Sequence, residues 1–194
     1  MRLDASLAVE HVLPKKPEGV TEIIKSRELD WENFLLACTN CNSTKGDNNI
    51  TLEEFYWPDR DNTFRAFAYS KGGIINPSTV ADNEKARRTI ELTVLDKRPL
   101  NNQTASDRRW LSRREVWDIA ERAKNRLSNC NHTEMREQIV ATAIGHGYWS
   151  VWMTIFHDDI DMVHRLINAF PGTATDCFDA ENSYTPIHRP QGKI

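Results

Sequence analysis

Glu10 and His11 stand side by side near the start of the chain, and Asn33, Cys38, Cys41, Asn42 and Lys45 follow in close order. Hydrolysis of a phosphodiester bond asks for side chains of these types. A water must lose a proton, and an imidazole titrates close enough to neutrality to take it. Charge growing on the phosphate must be offset. A hard divalent cation held by oxygen ligands does this and also stabilises the leaving oxygen. Glu10 offers a carboxylate and Asn42 an amide oxygen for such an ion. Asn33 can hydrogen-bond a backbone carbonyl, or the imidazole itself, and so orient the base. Lys45, one turn beyond Asn42 if this stretch is helical, can reach a phosphate oxygen. In a reducing compartment the Cys38-Thr39-Asn40-Cys41 spacing reads as a metal knuckle or a turn. Each feature alone is commonplace: a histidine beside a glutamate usually lies on the surface, and asparagines mostly form turns. Their order and spacing together carry the weight.

Several elements must position these groups. Leu7-Ala8-Val9 runs into Glu10-His11 and stops before Pro14, which predicts a short strand followed by a loop. Neighbours on a strand face opposite ways, so Glu10 and His11 converge only if the strand ends or bends there. Residues 14–29 are polar and read as loop. Residues 30–38 form an apolar segment too short for periodicity to separate strand from helix. Residues 38–49 form the knuckle, with room for a turn or two of helix. A turn-rich stretch follows, and Phe64 to Tyr69 alternates into Gly72-Gly73 and Ile74-Ile75, which predicts a hairpin. Pro77-Ser78 caps a helix over about 79–95. Ser106 or Asp107 caps a second, running to about Leu127 with Trp110, Trp117, Ala120 and Leu127 on its apolar face. A third begins at Thr133. A fourth follows Gly147, with Trp152, Ile155, Phe156, Val163, Leu166, Ile167 and Phe170 at helical spacing, and ends at Pro171-Gly172. These elements describe an α+β chain. Residues 1–50 form a small site module, 51–78 a turn-rich segment with the hairpin, 79–170 a helical body and 171–194 an irregular tail.

Glu10-His11, then Asn33 before an apolar run, then Cys38-x-x-Cys41-Asn42-x-x-Lys45 together resemble the HNH, or ββα-metal, endonuclease family. The third signature position is Asn where many members have His. The resemblance implies a metal-dependent endonuclease with a ββα-metal module at the N-terminus. It implies His11 as general base, Glu10 and Asn42 as ligands of one catalytic ion (Mg²⁺ or Mn²⁺), Asn33 as organiser of the site and Lys45 as substrate or structural support. Relatives with cysteine knuckles usually carry two, giving a Cys₄ zinc site. Here no cysteine precedes His11. A structural Zn²⁺ on Cys38 and Cys41 is therefore absent, or completed by a knuckle ahead of this sequence, or completed by Cys130 with His132 or by Cys177. More loosely, segments 57–63, 95–98, 107–110 and 171–179 are similar to the HNH subunit of Septu-type antiphage systems, including retron-associated ones. That likeness implies an antiviral effector bound to an ABC-type ATPase.

The net charge of −3 conceals a basic island. Residues 85–126 hold 12 basic and 6 acidic side chains, whereas 1–84 hold 9 and 14, and 127–194 hold 4 and 8. Arg108, Arg109, Arg113 and Arg114, with Trp110 and Trp117 among them, offer a phosphate-binding patch, and a groove from there to His11 would hold a nucleic acid without reading its sequence. They suit equally a solvated helix face, or pairing with Asp158, Asp159 and Asp161. Trp149 and Trp152 read as core or as subunit interface. No apolar run approaches the roughly 20 residues of a membrane helix, and the start lacks a secretory leader, so a cytoplasmic protein with no membrane partner is expected. Two other classes stay open: a catalytically silent nucleic-acid-binding or assembly subunit that keeps the fold, and a helical interaction subunit with an accidental motif.

Overall fold

A computed structural model describes residues 7–98 and 107–194. At the front, β1 (Leu7–His11) pairs antiparallel with β2 (Phe34–Cys38), placing His11 opposite Phe34 and Leu7 opposite Cys38. The connection carries α1 (Lys25–Glu28) and a 3-10 turn at Trp31–Asn33. The ambiguous segment 30–38 thus splits into a turn and a strand. Helix α2 (Thr39–Lys45) starts as β2 ends, because the Cys38 sulfur accepts the Cys41 amide and caps it. It stops at Gly46, whose φ of 56° lies where side chains are strained.

The hairpin forms with a shorter first arm than the alternation predicts. Residues Thr63–Ala66 make a helical turn, α3, and β3 (Phe67–Ser70) pairs with β4 (Ile74–Pro77) across Gly72-Gly73. Gly73 sits so close to the next long helix that an added Cβ would lie 2.9 Å from the Trp110 carbonyl oxygen. The expected helix over 79–95 is α4 (Asn83–Thr93). Asp82 rather than Ser78 caps it, by accepting the Lys85 amide. Helix α5 (Arg109–Asn129) and α6 (Thr133–His146) lie where the periodicity puts them. The cap at Ser106 lies outside the described residues. The buried face of α5 carries Arg113, Val116, Trp117, Ala120 and Leu127, with Trp110 only partly covered.

The single fourth helix is in fact two, α7 (Trp149–Ile155) and α8 (Ile160–Ala169). Asp159 caps α8 at the Met162 amide, which breaks an apolar pattern that runs through both. Trp152, Phe156, Met162 and Leu166 are fully buried in the main core, where α5, α6, α7 and α8 meet. Trp149 packs on Phe64 and Phe178, so both tryptophans serve the core of this chain.

Residues 171–194 are not irregular. They hold a 3-10 turn and a two-residue hairpin, β5 (Phe178–Asp179) with β6 (Thr185–Pro186), and bury Cys177, Phe178 and Ile194. Asp61 and Asn62 fasten them. The Asp61 carboxylate accepts the Trp57 and Lys193 amides, and the Asn62 amide donates to the carbonyls of Cys177 and Ile187. A smaller core of Val12, Phe55 and Trp57, flanked by Leu35, Ile50, Leu52 and Leu92, ties the front elements to α4. No described helix is long and apolar enough to cross a membrane.

Candidate active site

His11 closes β1. Its Nε2 lies 3.0 Å from the carbonyl oxygen of Glu28 at the end of α1. A carbonyl oxygen only accepts, so Nε2 carries the hydrogen and Nδ1 of the neutral ring keeps its lone pair. The ring also meets Phe34, its cross-strand partner, edge-on at 4.9 Å between centroids.

Asn33 is buried and spends its side chain on the backbone. Its amide donates to the Leu13 and Arg27 carbonyls at 2.8 and 2.9 Å, and its oxygen accepts the Leu13 amide at 2.7 Å. Of the two partners foreseen for Asn33, the carbonyls are found and the imidazole is not. Arg27 and Glu28 are neighbours in α1, so the clamp on the Arg27 carbonyl also fixes the oxygen that orients His11.

Glu10 points the other way, into the contact with α2. Its carboxylate lies 2.6 Å from Lys45 Nζ, with both side chains buried. Lys45 further donates to the His11 carbonyl at 3.0 Å. Lys45 therefore does not reach for a phosphate: burial commits its ammonium to Glu10 and the backbone. Asn42 is half-buried on the same helix. Glu10 and Asn42 supply a carboxylate and an amide oxygen from two packed elements, the donor chemistry that a hard cation takes with several waters. In this arrangement, however, the Glu10 carboxylate is buried and already engaged by the Lys45 ammonium. Among the described residues no group of three or more His, Cys, Asp or Glu side chains is placed to hold a metal ion.

Arg109 braces the knuckle. Arg109 donates to Cys41 Sγ at 2.9 Å and to the Thr93 and Val94 carbonyls at the end of α4, and pairs with Asp107 at 2.6 Å. Asp107 in turn accepts from Asn40 at 3.4 Å. The Cys38 thiol is lowered to about 5, first by a hydrogen bond from Cys41 and further by Arg109, against the effect of burial. The Cys41 thiol, which gives that hydrogen bond, is pushed up. Cys130 and His132 do not complete a zinc site. They lie past the far end of α5, whose 21 residues span roughly 30 Å at 1.5 Å each. Cys177 is buried in the main core.

The four arginines part company. Arg113 is buried and donates to the Gly73 and Leu95 carbonyls, so it braces the hairpin turn on α5, and burial pulls its guanidinium below its ordinary value. With Arg109 committed to the knuckle, neither offers a free fork to phosphate. Arg108 and Arg114 stay exposed, Arg114 lying over the Trp110 ring. Arg87 and Arg88 are engaged by Glu84, Glu91 and Glu54. The acidic cluster pairs elsewhere too: Asp158 with Lys124, Asp159 with Arg136, and Asp161 with both Arg136 and Arg165. A cleft of about 1320 Å³ does run along the arginine end of α5, between the Cys38–Cys41 knuckle and α6. Among the described residues its walls do not include His11.

Residues 2–48 match the model of a family described as HNH endonuclease. The match takes in β1, β2 and α2 and every front residue named above. No curated protein and no solved structure matches the chain. An HNH segment at the N-terminus of a chain of helices and short strands points to a nuclease, with nucleic acid as what it binds.

Proposed function

We propose that this chain is a metal-dependent endonuclease that hydrolyses phosphodiester bonds through His11, with residues 1–50 as its ββα-metal module. One observation carries the reading: within a segment similar to HNH endonucleases, His11 ends β1 with Nε2–H given to a fixed carbonyl, leaving Nδ1 as a base. His11 Nδ1 takes the proton of the attacking water. Asn33 is a positioning residue, holding α1 so that the Glu28 carbonyl keeps the ring and its tautomer in place. As the resemblance has it, Glu10 and Asn42 would hold Mg²⁺ or Mn²⁺, which when bound would supply charge neutralisation at the scissile phosphate; for that the Glu10 carboxylate would have to leave Lys45 and turn toward the His11 side of β1. Lys45 pairs with Glu10 inside the fold and ties it to the His11 backbone. Arg108 and Arg114 are the arginines of the original patch that stay open to a nucleic-acid backbone. A role as antiphage effector in the cytoplasm, restrained by an ABC-type ATPase, rests on the looser likeness to Septu-type subunits.

The ion pair also favours a second reading. A Glu10 already neutralised by Lys45 suits a silent binding or assembly subunit that keeps the fold and has no use for a metal. Cleavage of plasmid, single-stranded DNA and RNA with Mg²⁺, Mn²⁺ or chelator separates the two. Metal-dependent cutting supports the nuclease, and binding without cutting, in the presence of any co-purifying subunit, supports the silent module.

A further inference from the structure

Beside His11 the surface carries an apolar feature that the chemistry so far does not use. Trp31 is 84% exposed and Leu29 is 85% exposed, two residues apart on the turn that leads into β2. A tryptophan left in water forgoes a large hydrophobic gain, and a rigid turn that presents one invites a ligand. The turn is rigid. Asp30 accepts the Glu32 amide at 3.0 Å, and the residue after Glu32, Asn33, is the buried clamp. The indole meets Phe34 edge-on at 6.1 Å, and Phe34 meets His11 at 4.9 Å, so Trp31 stands two ring contacts from the imidazole. Arg60, which also pairs with Asp59 at 3.2 Å, donates to the Glu32 carbonyl at 3.1 Å and ties this turn to residues 59–60.

We infer that Trp31 is a stacking platform for an unpaired base next to the bond being cut, which makes the preferred substrate a single strand, a flap or a locally opened duplex. This rests on the nuclease reading of the His11 site and names its substrate class. The occupant follows from position. Whatever lies on Trp31 also lies against the His11 end of β1, and every base has a π-face to offer an indole regardless of sequence. In a continuous duplex the bases are already stacked on one another, and an indole has nothing to gain there.

The test is binding by fluorescence anisotropy in chelator, in the full chain carrying His11→Ala to prevent cutting. The probes are labelled single-stranded DNA and RNA 20-mers, the same DNA strand made fully abasic, and a blunt duplex. Trp31→Ala is expected to weaken single-strand binding about ten-fold, Trp31→Phe to restore most of it, and both to leave abasic and duplex binding within about two-fold. Trp31 is so exposed that the alanine variant keeps the fold, which a melting curve checks. Equal losses on all four probes, or no loss on any, would overturn the proposal. So would a loss of self-association or of a co-purifying protein with nucleic-acid binding unchanged, since the turn would then be a protein interface. Duplex cleavage by a Trp31→Ala chain that retains His11 is scored separately. If it matches the parent while single-strand binding is unaffected, the platform fails and the nuclease stands. If the parent cuts nothing, the nuclease reading fails on its own.

Discussion

Removing the charge of Lys45 while keeping its length, as in Lys45→Met, strands the Glu10 carboxylate inside the front module. The two side chains are 3% and 7% exposed and 2.6 Å apart, so water cannot take over from the ammonium. Breaking a buried pair from one side costs about 3–5 kcal/mol, most of it the stranded charge. Lys45 also surrenders its hydrogen bond to the His11 carbonyl, so the upper half of that range is expected. Glu10→Gln should cost less, because the ammonium keeps the His11 and Gly46 carbonyls as acceptors. In Glu10→Gln with Lys45→Met no charge is left to strand, and the double variant should recover about 2 kcal/mol or more relative to the sum of the singles. Urea unfolding reads this directly, since at an m-value of about 2 kcal/mol/M a 4 kcal/mol loss moves the midpoint by about 2 M. Hydrogen exchange at the β1 and β2 amides shows whether the loss is local to the front module. A Lys45→Met chain within about 0.5 kcal/mol of the parent, the scale of an exposed ion pair, would refute the reasoning. So would singles whose effects simply add.

The other expectations follow from the same contacts. Asn33→Ala removes three backbone clamps and should cost about 2–4 kcal/mol while lowering cleavage more than substrate binding; a chain that melts with the parent and cuts normally contradicts the positioning role. The Cys38 thiolate, favoured by the Cys41 hydrogen bond and by Arg109, should react with iodoacetamide with a midpoint near its lowered value of about 5, and Arg109→Gln should move that midpoint upward; alkylation that begins only above about pH 8 in the parent runs against this. Chelation should leave the melting curve unchanged if Arg109 rather than zinc braces the knuckle, and one tightly held zinc per chain would reverse that assignment. Arg108→Ala with Arg114→Ala should reduce the salt dependence of nucleic-acid binding by about two contacts without loss of stability, whereas Arg113→Ala should lower stability; the reverse pattern would return Arg113 to the substrate.

The chemistry-bearing residues were legible because their order is local. A carboxylate and an imidazole at a strand end before Pro14, and a Cys38–Lys45 run with a helix inside it, can be read along the chain. What these side chains face was not legible, because it depends on partners far away in sequence. Lys45 looks like a phosphate ligand until β1 packs on α2 and Glu10 meets it. Arg109 and Arg113 look like a basic patch until the end of α4 and the Gly72-Gly73 turn arrive to take their donors. Asp61 and Asn62 are ordinary turn formers by sequence, and only the returning C-terminal segment turns them into buried clamps. The break between α7 and α8 did leave a trace, since Asp158-Asp159 interrupts the apolar spacing and Asp159 suits a cap. The apolar periodicity on either side masks it.

The most direct test of the nuclease reading is the cleavage rate of the folded chain on nucleic acid in Mg²⁺ or Mn²⁺, parent against His11→Ala, with melting curves to show both are intact. Loss of a positioned general base should lower the rate by about a hundred-fold or more, and chelator should abolish it in the parent. A His11→Ala chain that cuts as fast as the parent would contradict the assignment of His11 as the base.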